Sequence, residues 1–297
     1  MPPGPDAVPS PLLAALAAAA GAEVRELAPL GGGHGARHYR ARLTDGRDLF
    51  VKQASGADPD GSARLEAEAS GLRWLAEAGA VPVPEVIFCQ NAAIALPWLR
   101  EDNPGVSAAE RFGRDLAALH HAGADRFGAP WSGFIASLPL PNEGADDWPS
   151  WYASARLLPY CRLAREAGTL SAADAALVET VADRIGELAG PAGAERPARI
   201  HGDCWSGNVL WSSGRGWLID PAAHGGHRET DLAMLELFGA PFGDRMLAAY
   251  RETAPLADGW QARVPLHQLH PLLVHVCLFG AAYRAQTLAA ARAALSA

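Results

Sequence analysis

The chain has 297 residues, enough for one large domain or two lobes. Apolar residues make up 49% and charged residues 20%, a globular balance, and the net charge of −8 argues against general binding to nucleic acid or anionic membranes. The four cysteines (Cys89, Cys161, Cys204, Cys277) form no CxxC pair, so neither a disulfide framework nor a zinc site is indicated, and a reduced, cytoplasmic setting fits.

Pro11–Ala20 is apolar and alanine-rich, but no Lys or Arg precedes Arg25 and the run is too short to span a bilayer. Ser10 followed by Pro11 reads as an N-cap and first helical position, so a packed helix is predicted. Residues 24–30 predict a strand, Gly31 to Gly35 a tight loop, and residues 37–43 a second strand. Thr44-Asp45-Gly46-Arg47 is a hairpin turn signal, and residues 48–53 return as a strand carrying Lys52. Residues 62–78 predict a helix, because Leu65, Ala69, Leu72 and Leu75 recur at three- and four-residue steps. Residues 83–89 and 92–97 predict two more strands.

From Ser107 the pattern changes. Residues 107–120, 148–167, 171–188, 229–238 and 266–295 predict helices, with short strands at 198–200, 209–211 and 216–219. Residues 123–149 carry several Gly and Pro and predict a long ordered loop. A strand-rich front and a helical rear predict an α+β fold of two lobes, 1–98 and 99–297, joined near 98–103.

The most informative stretch runs from His201 through Asp203, Trp205 and Asn208 to Asp220 and Asp231. Asp203 and Asn208 lie five residues apart, and Asp220 follows Asn208 by twelve at the end of an apolar run. Kinase-like folds place a base and two metal ligands around a nucleotide γ-phosphate in this order. Asp203 is the candidate base for a substrate hydroxyl. Asn208 and Asp220 offer the hard oxygens that Mg²⁺ prefers. One Asp in a turn is ordinarily a cap; the ordered set carries the specificity.

Upstream, Gly31, Gly32, Gly33 and Gly35 offer backbone room and N–H donors for phosphates, a weak signal strengthened by Lys52 one hairpin later. A lysine within an apolar strand needs a partner. Glu66 and Glu68 lie about 200° apart around the next helix. Glu68 shares the face of Leu65, Leu72 and Leu75, so it is expected to hold Lys52 toward the phosphates while Glu66 is solvated. His201, Arg228 and Asp231 read as supports; Asp231 would accept N–H bonds from the catalytic loop or cap the helix that follows. His224 and His227 read as loop histidines.

The segment from His201 to Asn208, His-Gly-Asp-Cys-Trp-Ser-Gly-Asn, is similar to the His-Gly-Asp-Leu-Trp-Ser-Gly-Asn signature of the fructosamine-3-kinases, also called ketosamine-3-kinases. Ile219 to Ala222 and Gly226 to Met234 resemble that family's next two signatures. Gly31 to Gly33, Phe50-Val51-Lys52, Glu66-Ala67-Glu68, Asp147 to Tyr152, and His275 with Phe279-Gly280 extend the resemblance over nearly the whole chain. It implies a protein-kinase-like fold and phosphorylation of a ketosamine at its 3-hydroxyl by ATP with Mg²⁺. The phosphorylated adduct then falls apart and frees the amine, a form of deglycation. Cys204 stands where the family has Leu. His34 stands where some relatives carry a cysteine, so no redox switch is expected there.

Trp205 lies two residues after the candidate base, where an indole can stack on a sugar or its amine. Trp148, Trp151 and His275 are further candidates for that pocket. Trp98 and Leu99 lie at the lobe junction, where backbone groups would bind adenine. Two other readings stand beside the ketosamine kinase: a kinase for an aminoglycoside or choline-like amine, and a nucleotide-binding pseudokinase. The presence of Lys52, Glu68, Asp203, Asn208 and Asp220 together gives the pseudokinase no support. The expected partner is a small-molecule or protein-bound ketoamine, with no nucleic acid and no membrane, and the chain is expected to be a monomer.

Overall fold

The computed structural model describes residues 10–33 and 35–297; the expectation for His34 and the capping role of the Ser10 side chain fall outside it. Helix α1 (Ser10–Ala20) leads into three antiparallel strands, β1 (Val24–Gly33), β2 (Ala36–Leu43) and β3 (Asp48–Ala54). Helix α2 (Gly61–Glu77) follows, then β4 (Phe88–Gln90) and β5 (Ala93–Pro97). The five strands form one sheet in the order β1-β2-β3-β5-β4. Alternation along the strands divides the two faces. Leu49, Val51, Ala93 and Ala95 pack with Leu12 and Leu16 of α1, whereas Ile94 and Leu96 pack with Leu65, Ala69 and Leu72 of α2.

Two details differ from expectation here. Gly31, Gly32 and Gly33 are not loop; they pair with His38, Arg37 and Ala36 as the end of the β1–β2 ladder. Of the expected strand at 83–89 only Phe88 and Cys89 are formed, in a strand that runs on to Gln90. Pro82 and Pro84 have no N–H to donate to a ladder, which explains the shortening.

The helical part begins with α3 (Val106–Ala122). Within the stretch expected to be loop lie two short strands, β6 (Gly133–Ile135) and β7 (Leu138–Leu140). The expected helix at 148–167 is interrupted. Helix α4 (Trp148–Trp151) passes through a π-helical stretch, Tyr152–Leu157, into α5 (Leu158–Glu166). Pro159 cannot donate into the preceding turn, and the carbonyl of Ala155 accepts from the Arg156 guanidinium instead, at 3.1 Å. Helices α6 (Ala172–Asp183) and α7 (Ile185–Ala189) follow, then β8 (Ala198–Ile200), β9 (Val209–Ser212), β10 (Arg215–Leu218) and β11 (His224–Gly226).

The chain ends in α8 (Arg228–Phe238), α9 (Gly243–Thr253), α10 (Trp260–Phe279) and α11 (Arg284–Leu295). Helix α9 was not expected. It lies against α3, burying Met246, Ala249 and Tyr250. Within Trp260–Leu295 an 18-residue window reaches a mean hydropathy of 1.2, long and apolar enough to cross a membrane. Here Leu266, Leu269, Leu272 and Leu273 sit in the main core of the helical part, and Arg263 pairs with buried Glu229. A separate core joins the two halves, with Leu75 and Val81 packing on α3, β9 and β10.

Candidate active site

Lys52 lies on the central strand β3, opposite His38 on β2 and Ile94 on β5. Its Nζ donates to Glu68 Oε1 at 2.8 Å and Oε2 at 3.0 Å, and also to Asp220 Oδ1. Glu66, two residues away on α2, is exposed. Burial alone would lower the Lys52 pKa; the two carboxylates outweigh it and hold the ammonium above its ordinary value. Partial burial pushes the Asp220 carboxyl up, but Lys52 overrides it and holds Asp220 below its usual range. The Asp220 side chain keeps 47% exposure, and its φ of 52° is a left-handed conformation that costs a non-glycine residue energy.

Asp203 faces the same space from the loop between β8 and β9. Asn208 Nδ2 donates to Asp203 Oδ2 at 2.8 Å and to the Asp203 carbonyl at 2.9 Å. Both amide hydrogens are then spent, and Oδ1 is the atom Asn208 has left to offer. Burial pushes the Asp203 carboxyl up to about 7; the charges of Asp220 and Asp231 add to the rise, and the Asn208 bond opposes it. Cys204 beside it is buried, with its thiol pushed well above the ordinary value, so it is not a reactive cysteine.

Three buried side chains hold this loop. Asp231, on the first turn of α8, accepts the backbone N–H of His201 at 2.7 Å and of Gly202 at 2.9 Å. His120 of α3 meets the same carboxylate at 3.2 Å and Tyr250 at 2.8 Å. His201 Nε2 donates to the carbonyl of Ile219 at 2.9 Å while its Nδ1 accepts from the Asp203 N–H at 3.3 Å, so one neutral ring ties the base to the residue before Asp220. Burial lowers the His201 pKa and keeps the ring neutral. Arg228 binds Glu195 through Nε at 2.7 Å and Nη2 at 2.8 Å, away from the cleft.

The glycines of this stretch have steric causes. A Cβ on Gly202 (φ 79°) would overlap the carbonyl of Ala222, and one on Gly207 would overlap the Trp205 ring. The indole therefore lies folded over Gly207, 38% exposed, with one edge on Phe238.

Lys52, Glu68, Asp203, Trp205, Asn208 and Asp220 line one cavity of about 380 Å³. Asp220 also lines an adjoining apolar cavity of about 470 Å³, walled by Phe50, Leu96, Trp98, Leu99, Leu210 and Ile219. The Trp98 N–H is donated to Asp48, so Leu99 is the residue of the pair left to offer an amide there. Cavities of about 620 and 560 Å³ elsewhere hold none of the three carboxylates and amides, so chemistry rather than volume locates the site.

Three candidates for the substrate pocket are corrected. Trp148 and Trp151 are buried in the helical core, Trp148 stacked on Tyr152 and His267 and Trp151 under Arg156, and neither lines the cleft. His275 reaches the cleft only through Phe238, against which it packs with Phe279 and Tyr283. Phe134, in the stretch read as loop, lines the cavity with Trp205 and was missed. His224 lies on β11, whereas His227 is in the link before α8 and caps that helix; both are buried. His227, Glu229 and His267 have ligand atoms within 4.8 Å of one another. Arg263 already holds Glu229 and His227 Nε2 donates to Ala192, so a cation there would have to displace a guanidinium. The oxygens of Asn208 and Asp220 fit a hard divalent cation better.

The fructosamine kinase family model matches residues 12–296. A probable ketoamine kinase of Thermus thermophilus is 34% identical over 263 residues, 86% of this chain and 88% of that protein. The chloroplastic protein-ribulosamine 3-kinase of Arabidopsis thaliana is 30% identical over 279 residues, 90% of this chain and 81% of that protein. A crystal structure from Thermobifida fusca assigned as a fructosamine-3-kinase superposes with a TM-score of 0.93 at 52% identity, over 98% of this chain and 100% of that one. An ADP-bound aminoglycoside phosphotransferase shares the fold, with a TM-score of 0.63 at 15% identity over 96% of this chain and 99% of that one. With a sheet-bearing front, a helical rear and this signature at their junction, the chain belongs to the fructosamine kinase family.

Proposed function

We propose that the protein transfers the γ-phosphoryl group of ATP to the 3-hydroxyl of a ketosamine, and that the phosphorylated adduct then breaks down and frees its amine. The observation that carries this is the convergence of Lys52, Glu68, Asp203, Asn208 and Asp220 on one cavity beside an apolar pocket. Adenine would occupy the apolar pocket between Phe50, Trp98 and Ile219. Lys52, oriented by Glu68, would meet the phosphates; on nucleotide binding its bond to Asp220 is exchanged for phosphate oxygens. Asp203 would accept the proton of the attacking hydroxyl as the new P–O bond forms and ADP leaves. Trp205 would form one wall for the sugar-amine, with Phe134 opposite the nucleotide.

Mg²⁺, held by Asn208 and Asp220, would neutralise charge on the phosphates when bound. The division into lobes 1–98 and 99–297, a monomeric state and a cytoplasmic setting belong to the same reading. Phosphorus NMR of a reaction with ATP, Mg²⁺ and fructosyl-lysine tests it. A new phosphomonoester on carbon 3 followed by free lysine is expected; ATP left unchanged with every ketoamine would contradict it.

A further inference from the structure

Arg64, on the first turn of α2, lines the same cavity as Lys52, Asp203 and Asp220 and has no part in the steps above. It lies four residues before Glu68, so both side chains project from one face of the helix toward the cleft. Its Nη1 donates to Asp58 Oδ1 at 3.1 Å, and its Nη2 pairs with Asp58 Oδ2. The two side chains are 15% and 16% exposed, with Gly35 of the β1–β2 turn packed against them. A Cβ on Gly35 would stand 2.6 Å from Asp58 Oδ2 and 2.7 Å from Arg64 Nη2. Gly35 is also held there, its carbonyl accepting the Ser55 N–H at 2.8 Å. A bare glycine backbone therefore lies directly on a guanidinium, at the place where this turn would cover nucleotide phosphates. Gly61, the first residue of α2, lines the cavity as well, which brings the positive end of the helix to the same space.

A guanidinium carries five N–H donors in a rigid fork, and Asp58 occupies only part of it. We infer that Arg64 is a second phosphate-binding cation of the nucleotide site, gripping the outer phosphates beneath the glycine turn, and that Asp58 is the positioning residue that aims it. This rests on the nucleotide reading above. Helix α2 then sets both cations at once: Lys52 through Glu68, and Arg64 directly.

Calorimetric binding of ATP, ADP and AMP to the full chain and to Arg64→Gln, Arg64→Lys and Asp58→Asn tests the inference. Arg64→Gln is expected to weaken ATP and ADP by about tenfold or more, the scale of a lost charge-assisted bond, and to leave AMP nearly unchanged. Arg64→Lys should recover part of the loss, and Asp58→Asn should weaken ATP less than Arg64→Gln does. Equal weakening of all three nucleotides by Arg64→Gln would make the pair a prop for the turn and overturn the inference, as would no weakening at all. An unaltered chain that binds no ATP would overturn the nucleotide reading and this inference together.

Discussion

Asp203 combines the two properties a base for phosphoryl transfer needs: a fixed position beside Asn208 and a raised affinity for protons. With its carboxyl pushed up to about 7, it is half ionised near neutrality and loses its charge as the pH falls further. We predict that kcat/KM for a ketoamine falls about tenfold per pH unit below about 7 and levels off above it. Stability should move the other way. The folded value lies above the ordinary 3.8, so from about 7 down to about 4 the folded chain takes up this proton and the unfolded chain does not. This group therefore favours folding increasingly as the pH drops. Melting curves of the protein and of Asp203→Asn, whose difference isolates this group, check the second sign beside the rate profile; a rate that stays flat down to pH of about 5 would contradict the assignment. Trp205→Ala is expected to raise KM for the ketoamine by roughly tenfold while leaving KM for ATP in place, as loss of a stacking wall would. Equal changes in both constants would mean the indole serves the loop rather than the substrate.

The same scale shows what single residues reveal. Asp203, Asn208 and Asp220 were legible because chemistry fixes both their types and their order. Glu68 separated from Glu66 because helical phase alone decides which faces the sheet. Trp148 and Trp151 could not be placed: a tryptophan on a helix has one signature whether it faces a core or a cleft. Arg64 had no signature, since the role inferred for it depends on Gly35, 29 residues earlier in the chain, folding onto it.

At the scale of elements, the long periodic segments were readable and the short ones were not. Strands β6 and β7 have three residues each, too few to display alternation, yet they carry Phe134 into the cleft. Helix α9 begins after Phe242 in a left-handed conformation, without the Ser, Thr or Asp that marks a helix start. Its importance shows in packing: a Cβ on Gly113 of α3 would overlap the carbonyl of Met246 and stand 3.2 Å from the Tyr250 amide. Gly113→Ala should therefore force α3 and α9 apart, at a cost of about 1–3 kcal/mol. Because Tyr250 of α9 and His120 of α3 brace Asp231 together, the displacement should also reach the catalytic loop. Thermal melting reads the first effect and kcat the second; a variant as stable as the parent would refute the close crossing.

For the whole molecule, the division into a sheet that carries Lys52 and a helical part that carries Asp203 places the site at the junction. Asp220 spans it, bonded to Lys52 while the carbonyl of Ile219 just before it is tied to the base through His201. The two-part α+β plan followed from composition along the chain. The joint core, in which Leu75 and Val81 pack on α3, did not, because those residues look like any other helix end and loop. The most direct measurement is ATP consumption with Mg²⁺ against fructosamine, ribulosamine and erythrulosamine adducts of lysine, aminoglycosides and choline, for the protein and for Asp203→Asn. Turnover confined to ketoamines is expected, falling by about 10² to 10⁴ in the variant while ATP still binds. Turnover on aminoglycosides or choline alone, or a variant as active as the parent, would contradict the account.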